Sequence, residues 1–163
     1  TTGYNLLTGT TGAIFSGDPV KMVSTGGIAV AAAGDTLLGI FRGVQYTNSS
    51  GEPIFSAHWV TATAATDAVA MVEDDPNSLF EVQCDGSYAT TVIGNNADMA
   101  TYVAGSTKTG MSAVEISSTT GTATAQFRII GFSQDPANST TGSANINVVV
   151  KINEHFYDAA AGV

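Results

Sequence analysis

The sequence predicts an all-β protein, a single-domain barrel or sandwich with at most one short helix, and three observations lead there. About one residue in seven is threonine, a β-branched type that suits strands, whereas Lys, Arg, Glu and Leu, which fill long helices, are scarce. Short apolar runs alternate with clusters of Gly, Asp, Asn, Pro and Ser. No stretch longer than about ten residues carries a helical stripe, so alternating βαβ units are not expected.

Taken in order, Ala13–Phe15 and Pro19–Val23 read as strands broken by Ser16-Gly17-Asp18. Ile28–Ala33 ends at Gly34-Asp35, and Thr36–Gln45 runs into Thr47-Asn48-Ser49-Ser50-Gly51-Glu52-Pro53, a hairpin loop dense in turn formers. Ile54–Thr63 follows as the returning strand, with His58 and Trp59 in it. Asp67–Glu73 and Leu79–Cys84 alternate across the turn Asp74-Asp75-Pro76-Asn77, where proline fixes φ. Asn95–Ala104 mixes Tyr102 and Val103 with Asp98 and reads as one short helix or a loop. Ser112–Ser117, Ala125–Phe132 and Ala144–Asn153 are the expected closing strands, Val148-Val149-Val150 being the most continuous apolar run. The apolar phase of these runs places Ile40, Val44, Phe55, Trp59, Phe80, Val82, Ile129 and Val149 in one core.

The division expected is an N-terminal arm over residues 1–12, a β domain over 13–157 and a short tail over 158–163. The arm is rich in glycine and threonine and gains little from packing by itself, so its chain entropy opposes order. Tyr4, Leu6 and Leu7 are nevertheless apolar and closely spaced, the pattern of a segment that orders against a capsid or a neighbouring subunit, the alternative being a first strand of the domain paired at an edge.

Charge excludes several functions. Of 163 residues 14 are acidic and 5 basic, a formal net charge of −9, so phosphate backbones are repelled and no nucleic-acid partner is expected. Ile28–Ala33 is the longest apolar stretch, far below the ~18 residues of a membrane span, so no membrane partner is expected either. No basic segment followed by an apolar run opens the chain, as a secretory leader requires. Cys84 is the single cysteine, which excludes an internal disulfide and a cysteine-based zinc site. Asn48-Ser49-Ser50 and Asn138-Ser139-Thr140 match glycosylation sequons, as a chain this rich in Thr, Ser and Asn does by chance.

Catalysis needs ionisable groups gathered together, and few are on offer. His58 lies in a strand beside Trp59, and His155 stands next to Phe156 and Tyr157. Neither belongs to a Gly-x-Ser-x-Gly or His-Glu-x-x-His pattern. Glu73-Asp74-Asp75 lacks the alternating order of a calcium loop and reads as a solvated turn. Glu81 and Asp85 as an acid–base pair lack any partner that the sequence brings opposite. Gly105-Ser106-Thr107-Lys108-Thr109-Gly110 lacks the order of a phosphate loop and reads as a hairpin tip, and Cys84 reads as a small buried hydrophobe. No enzyme and no cofactor are expected.

Several phrases, in their order, resemble the small capsid decoration (cement) proteins of tailed marine and cyanobacterial phages. They are Gly17-Asp18-Pro19-Val20, Leu38 to Tyr46, Gly51 to Ser56, Asp74 to Gln83, Phe127 to Phe132 and Val149 to His155, spanning residues 17–157. The resemblance implies a virion protein on the outer surface of an expanded icosahedral capsid, assembled in the host cytoplasm, bracing the shell against packaged DNA. It implies two partners, the major capsid protein and further copies of the chain as a trimer or dimer, and carries no catalytic residue. The expected contact residues are Tyr4, Leu6, Leu7, His155, Phe156 and Tyr157. Alternatives are a tail- or fibre-associated β module of a virion, or a carbohydrate-binding sandwich with Trp59, Tyr46 and Tyr88 as stacking platforms.

Overall fold

The longest strand, Gly39–Thr47, organises the larger sheet. In chain order the strands are β1 (Thr2–Asn5), β2 (Ile14–Phe15), β3 (Pro19–Met22), β4 (Ile28–Val30), β5 (Gly39–Thr47), β6 (Pro53–Ser56), β7 (His58–Trp59), β8 (Val69–Glu73), β9 (Leu79–Gln83), β10 (Asn96–Ala97), β11 (Phe127–Phe132) and β12 (Asn147–Ile152). The structure is a computed structural model that describes residues 1–6, 12–61, 63, 65–138 and 140–158.

One side of β5 pairs with β8, and the other is shared by β3 and β6. With β1 beyond β8 and β4 beyond β3, this gives a six-stranded sheet in the order β1-β8-β5-β3-β4, with β6 attached to β5. A second sheet runs β10-β11-β12-β9, and β2 pairs with β7. All pairings between named strands are antiparallel, and the only helical element among the described residues is a 3-10 turn at Thr90–Val92. The all-β expectation therefore holds. Both larger sheets are open at their ends, consistent with a sandwich.

Local chemistry explains the joints. In the β5–β6 hairpin the Asn48 side-chain oxygen accepts the N–H groups of Ser50 and Glu52, closing the loop predicted there. Gly39 is required where β5 passes β8, because a Cβ there would stand 2.2 Å from the Glu73 carbonyl oxygen. Asp75 accepts the Asn77 N–H and caps the turn that carries the chain from β8 into β9, and so from one sheet to the other.

Buried apolar side chains form two clusters, not the single core expected. One gathers Leu6, Ile14, Phe41, Trp59 and Val72 around the larger sheet. The other gathers Leu37, Cys84, Ile116, Ile129, Val148 and Val150 around the smaller. Leu37 and Leu38, adjacent and both fully buried, belong to different clusters, so this segment runs between them. Gln126, also fully buried, donates its amide to the carbonyls of Ala32 and Asp35 and ties β11 to the same segment.

Several expectations need correction. Thr2–Asn5 is no free arm: it pairs in register with β8 (Thr2 with Val72, Asn5 with Val69), and Leu6 is buried. Residues 7–11 of the expected arm, and 159–163 of the expected tail, lie outside the described residues. Ser112–Ser117 is not a strand, because its backbone bonds go to several different neighbours, with only single-residue bridges at Met111 and Ile116. Of the two readings of Asn95–Ala104, helix or loop, the loop holds, with the two-residue strand β10 inside it at Asn96–Ala97. Ile54–Thr63 breaks at Ala57 into β6 and β7. Phe55 pairs with Gln45 on the outer face of the hairpin and is 74% exposed. Along β12 the buried phase is Val148, Val150 and Ile152, leaving Val149 half-buried on the opposite face.

Candidate interaction surface

The ionisable groups are dispersed or already engaged. His58 stacks on Phe15 with ring centroids 5.8 Å apart, and His155 is buried beside the Leu37 backbone. Cys84 is buried in the smaller-sheet cluster, and burial pushes its thiol up, away from a reactive thiolate. The Glu73-Asp74-Asp75 carboxylates hold structure: Glu73 accepts the Thr1 and Ser78 hydroxyls, Asp74 those of Thr2 and Tyr4, and Asp75 caps its turn. Against the cost of burial, the Tyr4 and Thr2 hydroxyls keep the Asp74 carboxyl below the ordinary carboxylate range. Glu81 accepts from the Asn147 amide and Asp85 from the Ser118 N–H, so each does separate work. Among the described residues no group of three or more His, Cys, Asp or Glu is placed to hold a metal ion, and no helix is long and apolar enough to cross a membrane.

Most of the predicted contact residues come together, mainly to serve this chain itself. Tyr4 packs with Phe156 against the larger-sheet cluster, and the Tyr4 and Tyr157 hydroxyls are hydrogen-bonded. Burial, and then the Asp74 bond, push the Tyr4 phenol far above its usual range. The Phe156 N–H donates to the Leu37 carbonyl, which ties this part of the chain to the segment that runs between the two clusters. Leu6 and His155 are 2% and 1% exposed and face no neighbour in this conformation. Tyr157, 55% exposed, is the one freely presented, while Leu7 lies outside the described residues. The proposed sugar platforms fare similarly: Trp59 and Tyr88 are buried, and Tyr46 meets Trp59 edge-on at 5.5 Å.

The surface offered to other molecules lies elsewhere. A groove of about 360 Å³ separates the two sheets along β9. Its floor is Phe80, Val82, Phe127 and Val150, its roof Pro19, Ile40 and Arg42, and its far wall the segment from Met111 to Ile116. Leu79 and Met111 stand at it 58% and 55% exposed. A second hollow of about 370 Å³ shares Arg42 and is lined by Val44, Phe55 and Met71. Arg42 is the extra residue of a bulge in β5: Phe41 pairs with Val72 and Gly43 with Met71, leaving Arg42 unmatched and turned outward. Gly43 takes φ +156° behind it. Among the described residues no carboxylate lies within ion-pair distance of Arg42. Exposed apolar side chains thus stand at both hollows that share Arg42, Leu79 and Met111 at the groove and Phe55 at the second hollow.

Sequence reading missed this surface because it put Phe55 in the core and made a strand of the far wall. The available signal was glycine inside a strand pattern, Arg42-Gly43, a mark of a bulge. No protein-family model, curated protein or solved structure matches the chain.

Proposed function

We propose that the protein is a virion structural protein that decorates and stabilises the outer surface of an icosahedral phage capsid. The observation that carries this reading is the exposed apolar surface of Phe55, Leu79 and Met111 at two hollows that share Arg42, on an acidic all-β chain whose histidines, Cys84 and Glu73-Asp74-Asp75 cluster are packed or hydrogen-bonded within the fold. Such a surface, with one unpaired Arg42, favours docking against another protein over turning over a substrate. The phrase resemblance over residues 17–157 supplies the kind of partner, the major capsid protein. An acidic, lysine-poor outer surface keeps such a protein soluble and indifferent to DNA.

The test is co-sedimentation of the purified chain with expanded and unexpanded capsids of a tailed phage that encodes it. Saturable binding to expanded capsids, at a copy number set by the icosahedral lattice, is the expected result. Equal binding to both forms, or none, would sink the reading. Recovery on tail tubes instead would favour the tail-associated alternative.

A further inference from the structure

The groove along β9 has the geometry of a vacant strand position. β9 pairs with β12, with Val82 opposite Val148 and Phe80 opposite Val150. The Cys84 N–H donates to Ile146, so alternate residues back from it, Val82 and Phe80, turn their backbone groups toward β12. By the same alternation Leu79, Glu81 and Gln83 turn theirs the other way. The Gln83 carbonyl confirms the direction, accepting the Ile116 N–H across the head of the groove. Below that point the far wall leaves β9 alone: the Ser112 N–H goes to Ser16 and the Glu115 carbonyl to Ala100. All five residues of β9 line the groove, as they do only when it runs along the strand's open edge.

We propose that this groove takes an extended segment of another protein as an added strand on β9, hydrogen-bonded to the backbone of Leu79 and Glu81. The segment is neutral to basic, with β-branched or other apolar side chains at alternate positions and a lysine or arginine opposite Glu81. The apolar positions follow from the floor, Phe80 and Val82, which lies on one face of the added strand. The basic position follows from charge: Glu81 and Glu115 line the groove against Arg42 alone, in a chain of net charge −9. Opposite charges facing each other across strands stabilise the pairing. The inference goes beyond the capsid reading and does not depend on it.

A random nonapeptide library displayed as mRNA fusions, selected on the intact protein, tests it. The expected winners alternate apolar residues and carry one Lys or Arg. On binding, the Leu79 and Glu81 amides, fast to exchange in the free protein beside the slow Phe80 and Val82, slow at least tenfold in hydrogen exchange. N-methylation of the peptide nitrogens facing β9 cuts affinity at least tenfold, while methylation at the intervening residues does not. Glu81→Lys, at an exposed side chain, reverses the preference to acidic peptides. Failure to enrich any peptide, winners that leave the Leu79 and Glu81 amides unprotected, or indifference to N-methylation would each overturn the proposal. Capsid co-sedimentation reads the other proposal separately, so the two can fail independently.

Discussion

Asp18 and His155 are fully buried ionisable residues, and each has one polar atom without a partner among the described residues, Oδ1 and Nε2. Asp18 Oδ2 accepts the Phe15 N–H at 2.9 Å and the Tyr102 hydroxyl at 3.1 Å, but burial outweighs these bonds and raises the carboxyl above its ordinary range. The folded chain therefore holds this proton where the unfolded chain has lost it, and Asp18 removes stability as pH rises from about 3.8 through the raised value. His155 acts at the other end. Burial lowers its pKa, only partly opposed by Asp158 and Asp74, so the unfolded chain takes up the proton first. The folded state is then weakened as pH falls below about 6.5 toward the lowered value. Thermal melts from pH 4 to 8 should show Asp18→Asn gaining on the parent as pH rises, and His155→Gln gaining as pH falls. Parallel curves for either variant would mean that the group does not titrate differently on folding. Apolar residues divide as sharply: Phe41→Ala should cost about 3–5 kcal/mol, whereas Phe55→Ala should stay within about 0.5 kcal/mol in a denaturant melt while weakening capsid binding.

At the scale of elements, legibility follows from where period and context agree. β8 was readable because Val69 to Glu73 alternates within a half-buried sheet. β12 was readable as a strand but not in phase, since three consecutive valines carry no phase. The flanking Asn147 and Lys151 do carry it, and both turn away from the core with Val149. Bulges defeat alternation outright, because one extra residue inverts the parity beyond it: Arg42 in β5 and Ile130 in β11 are both unmatched, each before a glycine. β1 illustrates the opposite failure. Its composition is that of a loop, and only the β8 edge, the Asp74 carboxylate and the pocket for Leu6 make it a strand. Deleting residues 1–6 strips the β8 edge and empties the Leu6 site, so it should lower stability by about 3 kcal/mol or more and bring the melt down visibly. A truncated chain that melts with the parent would restore the view of this segment as an arm.

For the whole molecule, the question is what an acidic sandwich with an exposed apolar surface and an open strand edge does when displayed in many copies. Each contact that Phe55, Leu79 and Met111 offer is modest, since burying one such exposed side chain contributes roughly 1.5–3 kcal/mol before ordering costs are deducted. Repetition changes this: a chain that bridges two capsid subunits, or that docks as an oligomer, turns its later contacts into intramolecular events and gains avidity without new chemistry. On the proposed decoration reading, such a brace would act at the seams between subunits, where internal pressure from packaged DNA pulls the shell apart. Ligand linkage works in the same direction, because anything that binds the closed shell and not the ruptured one stabilises it, by an amount per site that grows with the logarithm of concentration over Kd. Particles assembled without the protein should therefore form normally and package DNA, yet release it at lower temperature, with the gap widening at low salt where the phosphates inside repel most strongly. Adding the purified chain back should restore the release temperature. Adding Phe55→Ala protein should restore it only at higher concentration, as a weakened contact requires. DNA release followed with an intercalating dye during a slow heating ramp reads all three cases. If stripped and complete particles released DNA at the same temperature in both salts while the chain still bound saturably, bracing would be abandoned. The apolar surface would then be an anchor for a protein whose outward face serves another purpose, such as contact with a host surface.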